Sequence, residues 1–310
     1  MNSIPIFLSP ELNYLRTANG FSAKDKKPFF NQWFSESAIN EYKDIDILST
    51  HYKEIGYSSP NAFIFHTSRC GSSAAVNYFR ALENCIVVPE AQPISVFCMK
   101  NNIKIDDWET KSRKGLETIF SLYKNFFCNQ SQNLIIKFTS WNILDIKRII
   151  TDYPDVPALL IIRNPIEILQ SCMRRHPGIV NMQTDPIMTT NIFGNSFHDL
   201  STNQFLVRMI GSFFQAIRDI VDKKKKFLIL DHENLNTDSM VEIQKFFNIS
   251  VNDKMAKESL NFYSKNHGNE NTIYSNSTPF QVEEIGNELI EYIEGNCMEN
   301  YTFLKKQSIH

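Results

Sequence analysis

The chain has 310 residues, of which 42% are hydrophobic and 21% charged, the make-up of a globular protein with length for one large α/β domain or two small ones. A formal net charge of -2 gives no global attraction to nucleic acid or anionic membrane, so any anion site must be local. No run approaches the roughly 18 apolar residues of a membrane span, and Cys70, Cys85, Cys98, Cys128, Cys172 and Cys297 show no CxxC spacing, which argues against a zinc site or a disulfide framework.

The opening MNSIPIFLSPELNY lacks a basic start and its apolar stretch is short, so no secretory signal is expected and a reducing, cytoplasmic setting is. Residues 1–60 mix aromatic and charged residues without strand rhythm. Beyond Pro60, short apolar blocks follow at 62–66, 85–88, 134–138, 158–162 and 227–230. They are continuous rather than alternating, which predicts strands covered on both faces. Helical patterns lie between them at 72–83, 109–127, 141–151, 165–175 and 202–222. This alternation predicts a parallel sheet with right-handed crossovers. The stretch 176–201 is long, polar and rich in turn residues, and reads as a flexible lid or a disordered excursion. The run Lys223 to Lys226 reads as the solvated end of a helix.

The segment FIFHTSRCGSSAAVNYF, Phe63 to Phe79, passes from strand to small-residue turn to helix. That order makes an anion site: the unsatisfied N–H groups of the helix face the turn, and the dipole favours negative charge there. Gly71 allows close approach, Ser72 and Ser73 add hydroxyls, and Arg69 offers a forked, permanent cation. The alternatives are an ordinary turn with a serine N-cap and a thiol nucleophile, Cys70, beside His66 and Arg69. A GxxxxGK[ST] loop is not present, because Ser72 stands where the lysine would follow the glycine. His66 reads as a core histidine bonded to backbone.

A second strand–turn–helix junction, ALLIIRNPIEILQSCMRR, begins at Ala158. Pro165 suits the first turn of a helix. Asn164 and Glu167 have capping-box spacing. Arg163 and Ser171, eight residues apart, are left over as a guanidinium and a hydroxyl able to converge on one further phosphate.

HTSRCGSS and RNPIEILQS together resemble the two phosphate-binding signatures of sulfotransferases that use 3′-phosphoadenosine 5′-phosphosulfate (PAPS). FLILDHENL and VEIQKFFNISV are similar to later segments of that family, so the resemblance spans roughly residues 60 to 265. It implies a three-layer α/β domain with a central parallel sheet, of the P-loop, nucleoside-kinase-like kind. The single domain 1–310 would hold an extension on the acceptor side (1–60), a PAPS-binding core (61–265) that includes the lid, and a C-terminal segment (266–310). Ser68, Arg69, Cys70, Gly71, Ser72 and Ser73 would hold the 5′-phosphosulfate, and Arg163 and Ser171 the 3′-phosphate. Lys265 and Asn266, in YSKNHGNEN, match a basic segment that the family sends over the nucleotide.

In LIIKFTSW, Lys137 keeps the family's lysine, but Thr139 stands at the position of its catalytic histidine. Other members place a glutamate after the second strand, and CIVVPEAQP puts Glu90 there. Catalysis is therefore expected from Glu90 as base, with Arg69 and Lys137 stabilising charge. A carboxylate beside bound phosphates is expected to have a raised pKa. The expected acceptor is a hydroxyl or amine of a small molecule, a specialised metabolite, with no metal, nucleic acid or membrane involved. A small-molecule kinase and a nucleotide-binding protein without catalysis are the alternative readings.

Overall fold

The computed structural model describes residues 4–8, 14–18, 39–99, 105–129, 131–174, 176–221, 226–250 and 286–309. An antiparallel sheet comes first, in the order β1 (Ile4–Leu8), β2 (Tyr14–Ala18), β3 (Ile39–Asp44). Its register shifts between Pro5 and Phe7 and between Thr17 and Ala18. Such bulges break the period-two rhythm by which short strands are read in a sequence. Helix α1 (Ile45–Ile55) follows directly, capped by the Asp44 carboxylate, which accepts the Asp46 N–H.

The main sheet is built from β4 (Ala62–His66), β5 (Cys85–Pro89), β6 (Asn133–Lys137), β7 (Ala158–Ile162), β8 (Phe227–Asp231) and β9 (Ser308–Ile309). All its pairings are parallel, in the order β5-β6-β4-β7-β8-β9. Every residue of β4 and β7 is buried, as unbroken apolar runs require of a sheet covered on both faces. The strands are linked by α2 (Ser72–Arg80), then α3 (Gln92–Phe97) and α4 (Trp108–Phe127), then a 3-10 turn (Ser140–Asp145) and α5 (Ile146–Asp152). Next come α6 (Pro165–Arg174), α7 (Pro186–Phe193), α8 (Thr202–Val221), α9 (Thr237–Phe246), α10 (Asn287–Ile293) and α11 (Glu299–Lys305).

Side chains alternate across the sheet. Ala62 and Ile64 face a core with Ala75, Tyr78, Phe79, Ile243 and Phe247 from the α2 and α9 side. Phe63 and Phe65 face Phe120, Phe138, Phe213 and Phe214 on the other. Two helical layers thus enclose one sheet, the three-layer α/β arrangement expected. β4 lies inside the sheet: the chain leaves it for β5 and β6 on one side, then crosses to β7 on the other. That is a topological switch point, where crevices open at the C-terminal strand ends.

Segment 176–201 is not the disordered excursion that was one of its two readings. It forms a 3-10 stretch (Gly178–Thr184), α7 and a second 3-10 turn (Asn195–Phe197). Ile179, Ile192, Phe193 and Phe197 are buried, and Phe193 stacks on Phe197 with centroids 4.6 Å apart. The Asp185 carboxylate caps α7 by accepting the N–H groups of Ile187 and Met188. Turn residues punctuate this segment, but apolar side chains between them fasten it to the core. Of the basic run, residues 223–225 lie outside the described residues, and Lys226 meets Asp155 at 3.4 Å on the surface. Among the described residues, no helix is long and apolar enough to cross a membrane.

Candidate active site

Past His66 the chain turns through Thr67 to Gly71 with unusual backbone: φ is 69° at Ser68, 46° at Arg69 and 78° at Gly71. Left-handed conformations cost a non-glycine residue about 1–2 kcal/mol, and clusters of them mark functional sites. Turns of this kind aim successive N–H groups at one point, an anion-binding concavity. Gly71 occupies the N-cap of α2, which has no side-chain cap bond. This corrects the expected serine cap: buried Ser72 and half-buried Ser73 are the first two helical residues. Cys70 is buried, and burial pushes its thiol up to about 11. It remains protonated at neutral pH and is a small turn residue, not a nucleophile.

The second junction meets the first. In parallel register His66 lies beside Ile161, and two residues further on Arg163 turns back across the loop. Its Nη1 donates to the Arg69 carbonyl at 2.9 Å, and its Nε to the Glu167 carboxylate at 2.6 Å. The Asn164 carboxamide accepts the Ile166 N–H at 2.9 Å, capping α6 as expected. Glu167, by contrast, is paired with Arg163 rather than completing a capping box. Half-buried Ser171 follows Glu167 by four residues, and so shares its helix face. His232, just past β8, adjoins the Cys70 backbone, and burial followed by the Arg163 charge lowers its pKa. No motif in the sequence around His232 marks a role for it.

A third group sits at the ends of β5 and β6. Lys137 is 3% exposed, and its ammonium is hydrogen-bonded to the Glu90 carboxylate. Glu90 has φ 52°, and its N–H donates to the Lys137 carbonyl at 2.7 Å. His66 Nδ1 accepts the Ser68 N–H at 3.2 Å, while Nε2 lies 3.7 Å from Glu90 Oε1. Burial alone would raise the Glu90 pKa, but the Lys137 ammonium and the nearby His66 outweigh it and hold the carboxyl well below the usual range. This reverses the raised pKa expected from the sequence. Burial, then the Lys137 charge, lowers the His66 pKa, so the ring is neutral at neutral pH. Thr139 has local partners: its hydroxyl bonds Ser95 and its N–H donates to the Asn142 carboxamide at 3.1 Å.

Two residues past Glu90, the Gln92 carboxamide accepts the Leu8 N–H at 2.9 Å and donates to the Leu8 carbonyl at 3.4 Å. The antiparallel sheet is thereby fastened beside Glu90. A cavity of about 600 Å³ lies apart from these groups, lined among others by Leu144, Phe193, Phe197, Arg208, Gln215 and Asn300. Lys265 and Asn266 lie outside the described residues. Among the described residues no group of three His, Cys, Asp or Glu could hold a metal ion.

No protein-family model and no curated protein matches the chain. Among solved structures it is similar to the sulfotransferase STF9 from Mycobacterium avium, with 9% identity and a TM-score of 0.49 over 85% of this chain and 82% of that one. A sulfotransferase from Alicyclobacillus acidocaldarius is 13% identical, with a TM-score of 0.47 over 80% of this chain and 95% of that one. Mouse sulfotransferase SULT7A1, complexed with PAP, is 12% identical, with a TM-score of 0.42 over 86% of this chain and 95% of that one.

Proposed function

We propose that this chain is a sulfotransferase that moves a sulfuryl group from PAPS to a hydroxyl or amine of a small-molecule acceptor. The observation that carries the reading is the 2.9 Å bond from the Arg163 guanidinium to the Arg69 carbonyl. It joins two anion motifs, distant in sequence, at one switch point. A nucleotide with anionic groups at its 5′ and 3′ ends needs two such sites in fixed relation. The strained loop and uncapped start of α2 suit the 5′-phosphosulfate, and Arg163 with Ser171 suits the 3′-phosphate.

PAPS supplies an activated sulfuryl group. Transfer breaks its S–O bond to the phosphate, forms a bond to the acceptor oxygen or nitrogen, and releases 3′-phosphoadenosine 5′-phosphate and a proton. Arg69 and the loop N–H groups stabilise charge on the departing phosphate. Glu90 receives the acceptor's proton, and Lys137 holds that carboxylate in place. The acceptor wall comes from the antiparallel sheet, the turn after Glu90 and segment 176–201. A cytoplasmic, specialised metabolite fits the near-neutral net charge better than a polyanionic glycan does.

Calorimetry against 3′-phosphoadenosine 5′-phosphate, with ADP and ATP as controls, tests the reading; no preference for the 3′-phosphorylated nucleotide would sink it. Glu90→Gln is expected to keep nucleotide affinity and slow transfer about 10²–10⁴-fold, and unchanged turnover removes Glu90 as base. The Lys137 ammonium on the Glu90 carboxylate favours one other reading, a nucleotide-binding protein without catalysis. Tight nucleotide binding with no turnover across an acceptor screen selects it.

A further inference from the structure

We infer that His66 is a positioning residue set between the anion loop and the Glu90 carboxylate, one ring nitrogen accepting from the loop and the other facing the carboxylate. What the loop and the carboxylate do rests on the sulfotransferase reading; the arrangement itself does not. Ala62 and Ile64 of β4 face the α2 side of the sheet, so alternation puts His66 on that face. Alternation from Ile135 along β6 puts Lys137 there as well. His66 is 6% exposed, well inside the protein for a histidine.

A core histidine commonly donates its Nδ1–H to a carbonyl. Here Nδ1 instead accepts the N–H of Ser68, so the hydrogen of the neutral ring sits on Nε2. Nε2 has no hydrogen-bond partner among the described residues, and it faces Glu90 Oε1 at 3.7 Å, with the Phe138 backbone also nearby. Ser68 is one of the left-handed residues of the loop. The same ring therefore pins a strained loop residue and confronts the carboxylate, which fixes the departing group's site relative to the base. The charged groups facing the ring are Lys137 and Glu90. An imidazolium would oppose one N–H to another at Ser68, so the arrangement requires the neutral ring.

Two variants each preserve one nitrogen. His66→Asn places a carboxamide oxygen near the Nδ1 position and removes the Nε2 donor. His66→Gln keeps a donor near Nε2 and removes the Nδ1 acceptor. The Asn variant is expected to bind 3′-phosphoadenosine 5′-phosphate within about threefold of wild type while kcat falls about tenfold or more. The Gln variant is expected to lose about tenfold in affinity, with a smaller fall in kcat. Variants that change both parameters by one common factor, or neither, overturn the inference. Nitrogen-15 NMR of the wild-type imidazoles at neutral pH needs neither turnover nor a folded variant. An Nε2–H tautomer at His66 supports the arrangement, and an Nδ1–H tautomer or an imidazolium overturns it. Absence of nucleotide binding by wild type, with the Nε2–H signal present, sinks the sulfotransferase reading and not the arrangement.

Discussion

Buried Lys137 and half-buried Glu90 form an ion pair at the ends of adjacent strands. At about 3 Å and an effective dielectric of about 20, two unit charges attract by about 5–6 kcal/mol. Desolvation of both offsets most of that in the intact pair, whereas removing one partner strands the other, at about 3–5 kcal/mol. Lys137→Met is therefore expected to lose about 3 kcal/mol. With 310 residues and about 2.1 cal/mol/K of unfolding entropy per residue, that is about 5 °C in Tm. Lys137→Met combined with Glu90→Gln leaves no stranded charge and should recover at least half the loss. The pH dependence follows from the signs. In wild type the Glu90 pKa is depressed, so its contribution is present above the unfolded carboxylate value of about 4.3 and is lost as pH falls below it. Without Lys137, burial raises that pKa above the unfolded value, and stability then falls as pH rises through the interval. The deficit of the single variant should grow from about pH 5 to about pH 7, while that of the double variant stays flat. Thermal unfolding followed by circular dichroism measures both; equal Tm values for single and double variants at both pH values refute the reasoning.

Arg163→Ala should weaken binding of 3′-phosphoadenosine 5′-phosphate about 10–100-fold, the worth of a hydrogen bond to a charged group, and ADP far less; calorimetry showing equal losses would remove Arg163 from the 3′-phosphate site. Gly115→Ala places a Cβ 2.3–2.6 Å from the Phe97 ring, which stacks near Trp108. Overpacking at about 1–3 kcal/mol outweighs the helix gain of about 1 kcal/mol, so Tm should fall and the near-UV tryptophan signal change; a Tm at or above wild type counts against this packing. With its thiol pushed up to about 11 by burial, Cys70 should resist iodoacetamide in the native chain and react once the chain is unfolded. Rapid native labelling by mass spectrometry would restore the thiol-nucleophile reading.

The five strands with continuous apolar runs were legible to within a residue because burial on both faces leaves an unbroken signal, as in ALLII at 158–162. The antiparallel sheet was not, since bulges near Pro5 and Thr17 interrupt its alternation. Two-residue β9 is too short to leave any pattern. The loop's residues were readable, but its left-handed backbone at Ser68 and Arg69 was not, because tertiary packing imposes it against local preference. The direction of the Glu90 pKa was missed for a related reason. Pro89 and Lys137 stand in register on adjacent strands, and strand order across a parallel sheet leaves no mark in the sequence between them. His232 carried no signal beyond its place at a strand end.

The backbone strain at Ser68, Arg69 and Glu90 also bears on how this chain responds to selection. Glycine at Ser68 or Arg69 would relieve about 1–2 kcal/mol of strain and return about 0.4–1 kcal/mol of it as unfolded-chain entropy, whereas at Glu90 it would strand the Lys137 ammonium and lose stability. A library selected only for heat resistance should therefore enrich glycine at Ser68 and Arg69 but not at Glu90. Each such gain would relax a bend that aims an N–H group into the crevice. Thermal robustness and a sharply shaped site compete at Ser68 and Arg69, and coincide at Glu90.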